Sequence, residues 1–408
     1  MRTLNVFLHH ELAGRLVQDD GGQMVFTYAS SWLASEGAYP LSHSLPLREE
    51  TFSQRECRGF FGGILPEEAN RTTIAKILGI SDKNDFAMLE QIGGECAGAI
   101  TFLPEGMELP ASAYTYRDIN EDELYTILEE LPRRPLMAGE DGIRLSLAGA
   151  QDKIAVRVEN GNISIPLGNA PSTHILKPMI EEYAGLVFNE SFCMNLANEA
   201  GLNVASTAIA SVKDKDYLLI ERYDRSVGND GLVTRLAQED FCQALGLPSE
   251  LKYQVEGGPS LKDCCGLLRT VSDVSAVDLN VLLNAVIFNL VIGNHDAHAK
   301  NFSLLKQPDG STRLSPLYDL VSAVYYPELT ENMAMSMGGE SRSHFILPEQ
   351  VEKFATDAGL GKSLVRDRVP EFVLTVNQAI ERTEQPHDVS KSVASLIAER
   401  CEHLLSRF

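Results

Sequence analysis

The chain has 408 residues, 44% of them hydrophobic and 23% charged, a balance that supports a packed core and excludes a disordered or fibrous protein. At roughly 100–200 residues per domain, the length implies two or three domains rather than one small module. Asp and Glu number 57 against 35 Lys and Arg, and the net charge of −22 excludes general attraction to nucleic acid or anionic membrane unless basic residues gather on one face.

The N-terminus reaches His9 before any long apolar stretch develops, so no signal peptide is expected. As far as about Pro110, short apolar segments (4–8, 24–28, 98–103) alternate with turn-rich pieces such as Asp19-Asp-Gly-Gly22, which predicts a small, mostly β, mixed domain over 1–115. Asn120 followed by Glu121, Asp122 and Glu123 supplies a helix cap and an acidic first turn, Leu124, Ile127, Leu128 and Leu131 an apolar stripe, and Pro132 a stop. From Arg144 the pattern turns to strands: 144–147, a small-residue loop at 148–150, then a hairpin of 154–158 and 162–166 about Asn160-Gly161. A strand at 174–178, a helix at 186–200 closed by Gly201, and strands at 205–212 and 217–220 complete a second segment, 116–225. The third, 226–408, is dominated by helical periodicity. Its longest apolar run, 279–292, carries Asn280, Asn284 and Asn289 and predicts a buried helix rather than a membrane span. A loop at 294–301, a hairpin about Pro308-Asp-Gly310, and a last helix near 389–405 follow.

Phosphoryl transfer needs a cover for the phosphates, a cation, oxygen ligands for magnesium, and an acceptor for the substrate hydroxyl proton. The sequence offers each in order. Asp296 and Asn301 stand five residues apart, the interval of a kinase catalytic loop, and Asp319 follows the next hairpin as a metal-binding aspartate does. Lys177 lies on a short strand ahead of a helix whose Glu190 is placed to pair with it. The backbone amides of Ser146-Leu-Ala-Gly-Ala-Gln-Asp-Lys153 can wrap phosphate although a Gly-x-Gly-x-x-Gly is absent. Glu221-Arg-Tyr223 ends a strand where an adenine would meet backbone. His295, Asp296 and His298 also suggest a hydrolytic transition-metal site, which would need a further ligand. Gly359-Leu-Gly-Lys-Ser363 is not a Walker loop, because Thr356 stands where glycine is required. Seven cysteines without a Cys-x-x-Cys pair indicate neither a disulfide framework nor a thiolate zinc site, and place the chain in a reducing cytoplasm. Cys264-Cys265 reads as packing.

These residues resemble the HipA-like serine/threonine kinases, toxins of bacterial toxin–antitoxin pairs. The likeness spans nearly the whole chain: Pro40-Leu-Ser-His-Ser-Leu-Pro-Leu47, Phe60-Phe-Gly-Gly-Ile-Leu-Pro66, the 146–153 loop, His174-Ile-Leu-Lys177, Glu221-Arg-Tyr-Asp-Arg225, Gln238-Glu-Asp240, Gly293-Asn-His-Asp-Ala-His-Ala-Lys-Asn301 and Pro316-Leu-Tyr-Asp319. His295 departs from the small polar residue expected before the catalytic aspartate. The resemblance implies an α+β, two-lobed kinase-like fold with an additional N-terminal mixed β domain and a mainly helical C-terminal lobe. It implies Asp296 as base, Asn301 and Asp319 as magnesium ligands, and ATP contacts from Ala148, Gly149, Ala150, Gln151, Lys153, Lys177, Glu221, Tyr223, His298 and Lys300. Glu190 would be the lysine partner and Ser146 the site of autophosphorylation. A phosphate adds about −1.5 to −2 charge, enough to expel that loop from a phosphate pocket. The implied substrate is a translation protein, plausibly an aminoacyl-tRNA synthetase such as the glutamate enzyme. The implied partner is a HipB-like helix-turn-helix antitoxin dimer that carries the contact with operator DNA. A small-molecule kinase of the aminoglycoside type and a non-catalytic corepressor are the alternatives.

Overall fold

A computed structural model describes residues 1–107, 109, 114–228 and 231–408; the boundary expected at Pro110 lies outside them. Two compact units emerge, one of Met1–Pro178 with Ala210–Ser249 and one of Met179–Ile209 with Glu250–Phe408. Both the N-terminal domain and most of the expected second segment thus fall in the first unit, while the Leu186–Glu199 helix belongs to the second.

The first unit opens on a four-stranded antiparallel sheet, in the order Met24–Tyr28, Glu11–Gln18, Arg2–Leu8, Ile100–Pro104. Alternation along Arg2–Leu8 turns Leu4, Val6 and Leu8 to the core. Phe26 there meets Phe52 and Phe61, and Phe61 meets Phe102, with ring centroids 5.3–6.1 Å apart. The helices Gln54–Gly63, Glu68–Leu78 and Asp85–Ile92 were not expected from periodicity. Glycines at 59, 62 and 63 remove the apolar stripe that would have announced the first. Gly59 is required by packing, since a Cβ would lie 2.4 Å from the backbone carbon of Gly246. That approach is fixed by the quoted motifs themselves: Ser42 Oγ and the His43 amide donate to Glu239, at 2.5 and 3.0 Å, and Ser44 Oγ donates to the Gln243 carbonyl at 2.7 Å.

A second sheet runs Tyr116–Asp118, Asn162–Pro166, Ile154–Glu159, His174–Pro178, Lys215–Glu221, with Thr207–Val212 at its edge. Asn160 and Gly161, both at positive φ, make the hairpin turn as expected. The Asn120–Glu123 capping box starts the Glu121–Glu130 helix as read from sequence. Residues 144–147 form no named strand; Leu145 makes only an isolated parallel bridge to Glu95.

In the second unit, Ser275–Ile292 is a central helix buried from Leu282 to Ile292 on almost every side, which explains its unbroken apolarity. It packs against the helices Leu261–Val271, Lys362–Ile380 and Asp388–Leu405. Gly293 closes it in the left-handed region at φ 66°, and a Cβ there would stand 2.5 Å from Val324. The chain then enters the 294–301 loop and the Ser303–Lys306/Thr312–Leu314 hairpin. Gly359–Gly361 merely joins two helices, and all seven cysteines are buried thiols.

Candidate active site

The first unit carries the residues suited to phosphate. Lys177 sits in an inner strand of the second sheet, opposite Leu218 in register and only 5% exposed. The 146–153 loop is laid on residues 64–70 of the same unit. Ser146, fully buried, donates to the Ile64 carbonyl (3.1 Å), the Glu67 amide donates to the Gly149 carbonyl (3.3 Å), and Asn70 Nδ2 donates to the Ala150 carbonyl (2.8 Å). Lys153 Nζ closes the loop from below on the Ala148 carbonyl at 2.6 Å, and Gly149 takes φ 102°, open only to glycine. Gln151 Nε2 is buried with no hydrogen-bond partner among the described residues, a donor suited to an anion. Glu221 ends its strand exposed, and the Tyr223 hydroxyl donates to Gln238 Oε1.

Beneath that strand end lies a feature the sequence reading missed. Glu95, without exposed surface, accepts from Arg222, Arg225 and Arg235 at 2.5–3.1 Å and from the amide and hydroxyl of Ser172. Asp224 takes the other edge of Arg222 at 2.7 Å. Burial alone would raise the Glu95 carboxyl, but the guanidiniums of Arg225, Arg235 and Arg222 hold it well below the usual carboxylate range.

The second unit carries an exposed carboxylate and oxygen donors. Asp296 is exposed at the tip of the 294–301 loop. Asn301, buried, donates its amide nitrogen to the Asp296 carbonyl at 3.1 Å, which turns its side-chain oxygen away from that bond and leaves it for a cation. Asn294 braces the loop by accepting from the Asp296 amide and by donating to Asn289 Oδ1 (2.9 Å) and the Asp319 carbonyl (3.4 Å). Asp319 adopts φ 59°, an uncommon left-handed conformation for a residue with a Cβ. The preceding Tyr318 hydroxyl is fixed on the Lys300 carbonyl at 2.6 Å. His298 and Lys300 are both buried on the loop, and Glu190 is buried in the Leu186–Glu199 helix.

His295 proves structural. Its Nδ1 bonds the Thr330 carbonyl (2.8 Å) and its Nε2 bonds Ser343 Oγ (2.9 Å), which also accepts from Arg400 of the last helix (3.1 Å). A carbonyl requires the Nδ1–H tautomer, and burial lowers the imidazole pKa, so the ring is a neutral anchor for the loop. Both nitrogens are therefore occupied, and among the described residues no three His, Cys, Asp or Glu side chains gather to hold a metal, which removes the geometric basis for the hydrolytic zinc reading. Tyr253 is the other residue missed. Its hydroxyl donates to Asp296 Oδ1 at 2.7 Å. No motif or periodicity marked it, because it lies in a short irregular turn 43 residues before the aspartate.

The chain is similar to known proteins along its whole length. Residues 145–380 match the HipA-like C-terminal domain, and residues 4–103 the HipA N-terminal domain. The chain is 46% identical over 387 residues to the Sinorhizobium fredii protein named "Putative kinase Y4mE", covering 94% of this chain and 92% of that one. It is 30% identical over 419 residues to the serine/threonine-protein kinase toxin HipA of Shewanella oneidensis, covering 99% and 95%. The solved Shewanella oneidensis complex of HipA, HipB and operator DNA superposes with a TM-score of 0.85 at 30% identity, over 99% of this chain and 96% of that chain. With both domain models matched in order and the likeness running the length of the molecule, the chain belongs to the HipA family of kinases.

Proposed function

We propose that the chain transfers the γ-phosphate of ATP to a serine or threonine of a protein in translation, that this activity arrests growth, and that a HipB-like helix-turn-helix antitoxin neutralises it. The observation that carries this reading is the Asn301 amide clamped on the Asp296 backbone, which directs an oxygen donor to a cation while the Asp296 carboxylate stays exposed to a substrate hydroxyl. Asn301 and Asp319 would hold magnesium; both offer hard oxygen, which suits that ion. When bound, magnesium neutralises charge developing on the phosphates. Lys177 supplies a fixed cation to the phosphates, and the 148–151 amides with Gln151 and Lys153 supply donors. Glu221 and Tyr223 offer backbone groups to the base of the nucleotide. Asp296 takes the proton of the seryl hydroxyl as the new O–P bond forms and the bond to the β-phosphate oxygen breaks, with ADP leaving.

The presence of HipB with operator DNA in the Shewanella complex supports an antitoxin partner here. The aminoacyl-tRNA synthetase reading rests on the family resemblance alone, and phosphoproteomics after brief induction of the wild type beside Asp296→Ala tests it. Asp296→Ala is expected to abolish transfer, at least about 10²-fold, with unchanged thermal stability because the side chain is exposed. Asp319→Ala is expected to abolish transfer as well. Undiminished transfer by either variant would overturn the assigned role. New phosphate on an aminoglycoside rather than on protein would identify a small-molecule kinase, and no ATP turnover with normal growth a corepressor.

A further inference from the structure

Tyr253 is held as firmly as the base it touches. Its carbonyl accepts from the Glu256 and Gly258 amides (3.0 and 2.9 Å), closing a tight turn in which a Cβ at Gly258 would lie 2.2 Å from the Leu251 carbonyl oxygen. The neighbouring Gln254 fixes the turn to the Asn332–Met337 strand by accepting from the Ser336 amide at 2.8 Å. The phenol ring meets the His298 ring edge-on, with centroids 5.2 Å apart at 78°, and Lys252 Nζ stands 5.4 Å from its centroid. A hydroxyl delivered by so constrained a turn onto one oxygen of an exposed carboxylate is a built contact, because an exposed Asp would otherwise rotate freely about χ2.

We infer that Tyr253 is the positioning residue of the catalytic base: by occupying Oδ1 of Asp296 it fixes the carboxylate plane and leaves Oδ2 to receive the proton of the acceptor hydroxyl. The inference rests on the kinase reading of Asp296. The tyrosine proton stays on Tyr253 throughout; the substrate hydroxyl loses its proton to Oδ2 and gains the phosphoryl group.

The test compares the full-length wild type with Tyr253→Phe, which keeps the ring against His298. Steady-state transfer from γ-labelled ATP, into the chain itself and into a degenerate peptide library with one fixed serine, is followed at varied ATP concentration. Nucleotide affinity and Tm are measured in parallel. The expected result is a loss of about tenfold in kcat with KM for ATP and Tm both unchanged. An unchanged kcat would overturn the inference. So would a rate loss that comes with a lower Tm or a raised KM for ATP, which is the signature of a purely structural role. Failure of the kinase reading is a separate result: the wild type itself would transfer no phosphate.

Discussion

Glu95 shows how one residue can hold a unit together without a sequence signature. It is a lone acid in an ordinary loop, yet three arginines drawn from 222 to 235 converge on it with their side chains at most 5% exposed. Glu95→Gln would leave the buried Arg235 without a carboxylate and Arg222 and Arg225 facing only Asp224, and losing one member of a buried ion cluster costs about 3–5 kcal/mol. Urea unfolding should show that loss; a change below about 1 kcal/mol would mean the arginines find other counter-charge. The pH dependence has a definite sign. A carboxyl held below its ordinary 4.5 contributes fully above pH 4.5 and loses that contribution as the pH falls toward its folded value. The wild type should therefore shed stability in acid more steeply than Glu95→Gln. His295 carries the opposite lesson. The sequence marked it as a departure, and the departure is an anchor with both ring nitrogens bonded rather than a change in the chemistry of Asp296.

At the scale of elements, those set by local rules were legible: the capped Glu121–Glu130 helix, the Asn160-Gly161 hairpin, the 294–301 loop and the Ser275–Ile292 helix each follow from residues within a few positions of one another. The three N-terminal helices were not: in Gln54–Gly63 the glycines answer to a distant backbone, as Gly59 answers to Gly246, while Glu68–Leu78 buries only Ile74 and Ala75 and the short Asp85–Ile92 is buried on most sides, so neither shows a stripe. Tyr253 and Glu95 escaped for the same reason, their partners lying 43 and about 130 residues away. The phosphate loop shows what such distant contacts can do. Ser146 is fully buried on residues 64–70, so a phosphate can reach it only after the loop peels from that segment. Asn70→Ala deletes the bond to the Ala150 carbonyl. At about 0.5–1.5 kcal/mol per hydrogen bond, opening should become roughly threefold to tenfold easier. Phosphate should then appear on Ser146 faster by mass spectrometry, with faster amide exchange across 146–152. Equal rates in the variant would show that the tether does not control access, and a consistently bare Ser146 during robust turnover would remove the autophosphorylation reading altogether.

Across the whole molecule, the sign of the charge bears on how a protein of this family reaches DNA. Each phosphate contact needs a Lys or Arg to release a counterion, and the chain has 35 such residues against 57 acids. Several of the strongest cations are consumed internally: Arg222, Arg225 and Arg235 by Glu95 and Asp224, and Arg400 by the Leu290 and Val291 carbonyls. With a Debye length of about 10 Å at 0.1 M salt, a net charge of −22 works against contact with a duplex unless basic groups gather on one face. Under the proposed partnership, sequence reading and most of the phosphate contacts would come from the antitoxin, with this chain carried as an acidic passenger. The chain alone should therefore leave its own promoter duplex unshifted at 0.1 M salt and micromolar concentration, and a supershifted complex should form once the antitoxin is added. Titration by fluorescence anisotropy at several salt concentrations decides the matter. Micromolar or tighter binding by the chain alone, weakening steeply as salt rises, would reveal a basic face large enough to overcome the net charge, and the slope of log affinity against log salt would count the phosphates it touches.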